Sequence, residues 1–219
     1  MGIFMKRLLA ITLCLFALPV FASDTDSGFL SDYERLDKEG SIRARYLGYT
    51  APGATDVKSP AVYLSPLGRF PVAATFGDLD DELVSSVLTY TEQRLRSKLA
   101  DRTRVVDDKA AADVTLEVAL TALSAQPEGK SVLGMVPQRL VTGAAMDAAL
   151  GKVMQATAIF EMRLSQPASS TILRESKHEL LGDSIGRSGN EKTHMSLDKL
   201  KPALDKWVSL VVDQIAPKR

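Results

Sequence analysis

His178 and His194 are the only histidines of this 219-residue chain, and Cys14 is its only cysteine. The histidines stand 16 positions apart, with no carboxylate spacing around them that suits a zinc site. Neither a Gly-x-Ser-x-Gly elbow nor a His-Glu-x-x-His helix occurs, and a cysteine nucleophile is absent from the mature region. Two acidic runs, Asp80-Asp81-Glu82 and Asp107-Asp108, fall where a helix start or a turn wants a carboxylate to accept backbone N–H bonds. Gly129-Lys130-Ser131 looks like the end of a phosphate loop, but Ser124 stands where that loop needs its first glycine. Gly182 to Asn190 is glycine-rich and reads as a flexible connection or a partner-binding loop. The residues therefore offer no catalytic, cofactor-binding or metal site. Paired acids of the glycosidase kind are the one enzymatic chemistry that scattered carboxylates leave open.

Binding chemistry has a better candidate. Val132 to Met154 mixes glycine and alanine with three methionines. Met135, Gly143, Ala145, Met146 and Ala149 stand out as a possible partner-binding segment. Small residues allow close helix approach, and methionine adapts to irregular surfaces. Arg139, Asp147 and Lys152 forbid a membrane span. Two roles fit the stretch: a small-residue helix packed on the sheet, or an exposed segment that docks on a partner or a membrane surface.

The elements that would position such a site follow from hydrophobic period. Leu83, Val84, Val87, Leu88, Thr91, Leu95 and Leu99 recur at helical spacing behind Asp78 or Asp80 as N-cap. Asp113 to Ala125 alternates strictly, with Val114, Leu116, Val118, Leu120 and Ala122 on one side and Thr115, Glu117, Ala119 and Thr121 on the other. Ala156 to Leu181 repeats that pattern around a turn at Gln166 to Ser170 and predicts a β-hairpin. Alternation of this kind predicts an antiparallel sheet with one wet face. A last helix carries Leu197, Leu200, Leu204, Trp207, Val208, Val211, Val212 and Ile215 on one stripe, with Ser196 as N-cap and Pro202 either kinking it or starting its main segment. Ahead of these, Phe29, Leu30, Tyr33 and Leu36 space as one or two helical turns, and Ile42 to Tyr49 alternates as a strand. Pro52, Pro60, Pro66 and Pro71 exclude a long helix or a central strand around the short apolar run Ala61 to Leu64. The expected fold is α+β: a mostly antiparallel sheet, one long helix before the central strands and a C-terminal helix on one face. Residues 23–60 read as an N-terminal extension and 61–219 as one domain with an insert at 127–154.

Residues 1–22 form an address rather than a structural element. Lys6 and Arg7 precede an apolar stretch that ends in Pro19 and Val20-Phe21-Ala22, the pattern of a secretory signal cleaved after Ala22. At 15 residues, Leu8 to Ala22 is short of the roughly 20 that cross a bilayer. Cys14 follows Leu13 rather than a small residue, so it is filler and not a lipidation site. The expected location is the periplasm, with outer-membrane association at most peripheral. The chain carries 27 basic and 27 acidic residues, and 45% of it is hydrophobic. That is a globular composition, and zero net charge argues against a nucleic-acid partner.

Ser27-Gly28-Phe29-Leu30-Ser31-Asp32-Tyr33-Glu34-Arg35-Leu36 resembles the opening of a bacterial envelope family known as domain of unknown function 3313. Tyr63-Leu64-Ser65-Pro66, the Asp113 strand, the Gly/Ala segment and Phe160-Glu161-Met162-Arg163 follow in the same order. The resemblance implies an envelope protein, in many members a lipoprotein, with no catalytic residues to carry over. The element order is also similar to small α+β envelope modules such as the TolB N-terminal domain. A non-catalytic periplasmic component that binds another envelope protein is the expected function. A carbohydrate-active or other hydrolase and a small-ligand or lipid carrier are the alternatives.

Overall fold

The computed structural model describes residues 26–36, 45–54, 59–71, 79–129, 131, 133, 153–187 and 195–217. The signal stretch 1–22, His194 and the segment residues Met135, Gly143, Ala145, Met146 and Ala149 lie outside them.

Seven strands and two α-helices occur among the described residues. The strands are β1 (Tyr46–Thr50), β2 (Val62–Leu64), β3 (Gly68–Arg69), β4 (Val105–Val106), β5 (Val114–Pro127), β6 (Val153–Gln166) and β7 (Thr171–Arg187). The helices are α1 (Asp81–Ala100) and α2 (Leu197–Ile215). One sheet holds all the strands in the order β1-β7-β6-β5-β2-β4, with β3 added beside β5. The sheet is mixed, which corrects the expectation of a mostly antiparallel one. β1, β7, β6 and β5 pair antiparallel, whereas β2 and β3 run parallel to β5 and β2 parallel to β4. The cause is α1: a helical crossover returns the chain in the same direction, as a hairpin cannot. β2 also lies inside the sheet despite its prolines, because Pro60 and Pro66 fall just outside its three residues.

Both helices cover one face. Val84, Val87, Leu95 and Leu99 of α1 and Leu200, Leu204, Trp207, Val208, Val211 and Val212 of α2 join Leu116, Leu120, Phe160 and Met162 of the sheet in a single apolar core. Asp80 caps α1 by accepting the Glu82 N–H. Ser196 precedes α2 without a side-chain cap bond, and the helix runs through Pro202. Trp207 is buried and stacks on Phe160 with ring centroids 4.8 Å apart. His178 sits behind them against Trp207 and Tyr46, its Nε2 2.9 Å from Ser176 Oγ. Burial depresses its pKa to about 3, so it is a neutral core residue at ordinary pH.

Two local features depart from the simple alternation. A register shift between Leu120 and Ala122 marks a bulge. Ala122 therefore leaves the helix face and pairs with Ile159 in a separate small cluster, while Leu123 takes its place in the core. The stretch from Gly182 to Arg187, expected as a connection, continues β7. Gly182 is required there, because a Cβ would stand 2.3 Å from the Lys199 carbonyl oxygen of α2.

Candidate polar site beneath the N-terminal strap

The face of β5, β6 and β7 away from the helices was expected to be wet; Glu117 and Arg163 are half-exposed there, but most of its polar residues are not. Thr115, Thr121, Thr157, Glu161, Glu175 and Lys177 are all buried. Residues 26–36 lie across this face as an irregular strap, and Phe29 to Leu36, expected as one or two helical turns, form no helix. Gly28 turns the strap with φ near +84°, a conformation that suits glycine. Leu30 and Leu36 are its buried apolar residues, and a turn bond from the Leu36 N–H to the Tyr33 carbonyl closes its end.

The strap holds the sheet through polar side chains. Cross-strand register sets Glu161 of β6 opposite Lys177 of β7, and Arg163 opposite Glu175. The four alternate in sign, so each charge has an opposite neighbour. Glu161 accepts from Tyr33 Oη at 2.6 Å and Ser27 Oγ at 2.8 Å, both on the strap. Thr121 Oγ1, presented by the bulge, lies 3.3 Å away, and Lys177 Nζ 3.8 Å. Tyr33 Oη accepts the Phe29 and Leu30 N–H groups in turn. Glu175 accepts the Ser31 N–H at 2.9 Å, the Ser31 hydroxyl at 3.1 Å and Arg163 Nε at 3.1 Å. The Arg35 guanidinium completes that ion pair while stacking over Tyr49 of β1. Arg163 also donates to the Phe29 carbonyl.

The two carboxylates are displaced from the ordinary range in opposite directions. Burial raises Glu161 above the ordinary carboxylate range, and the bonds from Tyr33, Lys177, Ser27 and Thr121 only partly offset it. Burial acts the same way on Glu175, but Arg35, the Ser31 N–H, Arg163 and the Ser31 hydroxyl together outweigh it and hold the group below its usual value. Tyr33 is pushed well up, first by burial and then by the Glu161 charge. Sequence reading missed this site because strand alternation cannot distinguish solvated polar residues from polar residues with partners. A signal was nevertheless present: Glu161-x-Arg163 and Glu175-x-Lys177 are opposite-sign pairs at strand spacing on either side of one turn.

The other sequence candidates fall elsewhere. Asp81 pairs with Arg69, Asp108 caps a short 3-10 turn at Lys109–Ala111, and Ser131 donates to Glu179, which also pairs with Arg45. Beside the strap, Phe29, Phe70, Arg69, Gly68 and Glu117 line an open cleft of about 180 Å³. Among the described residues no group of three or more His, Cys, Asp or Glu is placed to hold a metal ion. No described helix is long and apolar enough to cross a membrane.

Over residues 25–211 the chain matches the family described as protein of unknown function (DUF3313). It belongs to that family. No curated protein matches this DUF3313 chain. Several solved structures are distantly similar to it. The PelC dodecamer from Paraburkholderia phytofirmans is 9% identical, with 80% of this chain and 98% of that one covered at a TM-score of 0.42. The protein CT253 from Chlamydia trachomatis is 9% identical, with 74% and 100% covered at 0.44. A neuraminyllactose-binding hemagglutinin homolog from Helicobacter pylori is 12% identical, with 77% and 92% covered at 0.44. At these values nothing of what those proteins do passes to this chain.

Proposed function

We propose that this DUF3313 chain is an exported, non-catalytic component of the bacterial cell envelope that binds another envelope component in the periplasm. The observation that carries the reading is the closure of the buried acids. Glu161, Glu175 and Glu179 are the buried carboxylates among the described residues, and each is bound by groups of its own chain. A hydrolase of the paired-carboxylate kind needs its acids in reach of substrate and water, and these three are not. That closure weighs against a hydrolase built on those acids. The export pattern of residues 1–22 supports the compartment.

Docking is assigned to the Gly/Ala segment around Met135, Gly143, Ala145, Met146 and Ala149. Photo-crosslinkers placed at Met135 and Met146 in the full chain, expressed in the native envelope, are expected to capture one discrete partner. Ala145→Leu and Ala149→Leu are expected to abolish that adduct by overpacking while leaving the melting temperature in place. Adduct loss only in proportion to unfolding would assign the segment to the core instead. Intact-mass analysis of the periplasmic fraction should find a mature N-terminus at Ser23. A lipid-modified Cys14 at the new N-terminus would overturn the export route.

A further inference from the structure

The strap is joined to the sheet unlike any other part of the described core. Its bonds to β6 and β7 run mainly from strap donors to sheet carboxylates, with Arg163 donating the other way to the Phe29 carbonyl, and Leu30 and Leu36 are its buried apolar residues. At one end Tyr33 and Ser27 close on Glu161; at the other Ser31 and Arg35 close on Glu175. We propose that residues 26–36 are an acid-released cover, with Glu175 as its catch, that lifts from the sheet while the helix-covered core stays folded.

The groups around Glu175 fix the direction. Arg35 and Ser31 reach it from the strap, and Arg163 from β6. Glu117 of β5 stands behind Arg163 at 3.6 Å, and Tyr49 of β1 lies beneath Arg35. Lys177 is two positions along β7, paired with Glu161. The helices pack on the other face. A neutral Glu175 would leave Arg35 and Arg163 facing one another without the charge that joins them. Its pKa is held low in the docked state, so the docking it supports is present above the ordinary glutamate range and lost as pH falls through the lowered value. Glu161 differs. Its strap partners, Tyr33 and Ser27, are neutral and its cation, Lys177, belongs to the sheet, so loss of its charge breaks no ion pair between strap and sheet. The catch is therefore Glu175 and not the more perturbed-looking pair at Glu161.

Lifting the cover would bare the alternating quartet of Glu161, Lys177, Arg163 and Glu175. The release is testable by two-dimensional amide NMR of the mature chain from neutral to strongly acid pH. The Phe29, Leu30 and Ser31 amides are expected to move to random-coil positions below the ordinary glutamate range while Phe160 and Met162 keep their dispersed shifts. Glu175→Gln is expected to raise the released population at neutral pH at least about tenfold, the scale of a lost hydrogen bond to a charged group. Arg35→Gln, a change on the partly exposed strap side, should move the acid midpoint toward neutral, because Glu175 then titrates more easily. Glu161→Gln should leave the midpoint where it is. Strap and strand amides lost together at a single pH would overturn the proposal. So would an unchanged midpoint in both Glu175→Gln and Arg35→Gln, or a midpoint that follows Glu161→Gln.

Discussion

The two faces of the β6–β7 hairpin are closed by opposite means. Toward the helices, Phe160, Met162 and Trp207 exclude water by apolar packing. Toward the strap, one residue along each strand, Glu161, Arg163, Glu175 and Lys177 are covered by an irregular segment whose own side chains supply the bonds. Apolar burial is non-directional and survives small shifts. A buried charge is tolerated only while its partners stay in place, since losing one leaves an uncompensated ion. The same hairpin therefore carries a permanent cover on one side and a conditional one on the other.

The largest expected effect lies on the helix face. Trp207→Ala removes a buried ring stacked on Phe160 and should lower global stability by about 3–5 kcal/mol in chemical denaturation. A small loss would mean that α2 contributes little to the core and that the two faces are less different than described. Gly182→Ala comes next. The new Cβ would stand 2.3 Å from the Lys199 carbonyl oxygen, so α2 must shift, at a cost of about 1–3 kcal/mol.

Tyr33→Phe sharpens the contrast from the other side. It removes the 2.6 Å donor to Glu161 and the acceptor of two strap N–H groups. About 1–3 kcal/mol should be lost from strap docking, read as faster proteolysis within residues 26–36, with the global denaturation midpoint moved far less. An equal loss in both readouts would make the strap part of the cooperative core. The smallest effect is expected at Leu210, which is 49% exposed on α2. Leu210→Glu should stay within about 0.5 kcal/mol of the parent.

The helix-side architecture was legible in the sequence, because burial against a helix demands apolar residues at fixed spacing. The stripes of α1 and α2 and the alternation of Phe160, Met162 and Leu164 follow that demand directly. The strap side was not, for a physical reason. A Glu on a strand has the same pattern whether water or Tyr33 satisfies it, and the partner lies 128 positions away in the chain. The bulge at Thr121 was equally hidden, since alternation simply continues through Ala122 in sequence while the backbone does not. Short strands escaped too. β3 has two residues, too few for any period, and the parallel pairing of β2 with β5 arises from the α1 crossover rather than from the composition of either strand. The ten residues that carried the family resemblance, Ser27 to Leu36, are nearly the whole of the strap, so the most informative stretch of sequence held no regular element.

Native-state hydrogen exchange at neutral pH tests most directly whether the two covers are separate cooperative units. The Phe29, Leu30 and Ser31 amides bond to Tyr33 and Glu175 on the strap side, and the Phe160 and Met162 amides lie in β6 between its two neighbours. The strap amides are expected to exchange through a local opening of lower free energy that depends little on denaturant, while the β6 amides exchange only through global unfolding. A single free energy with one shared denaturant dependence for both sets would contradict a cover that can open by itself.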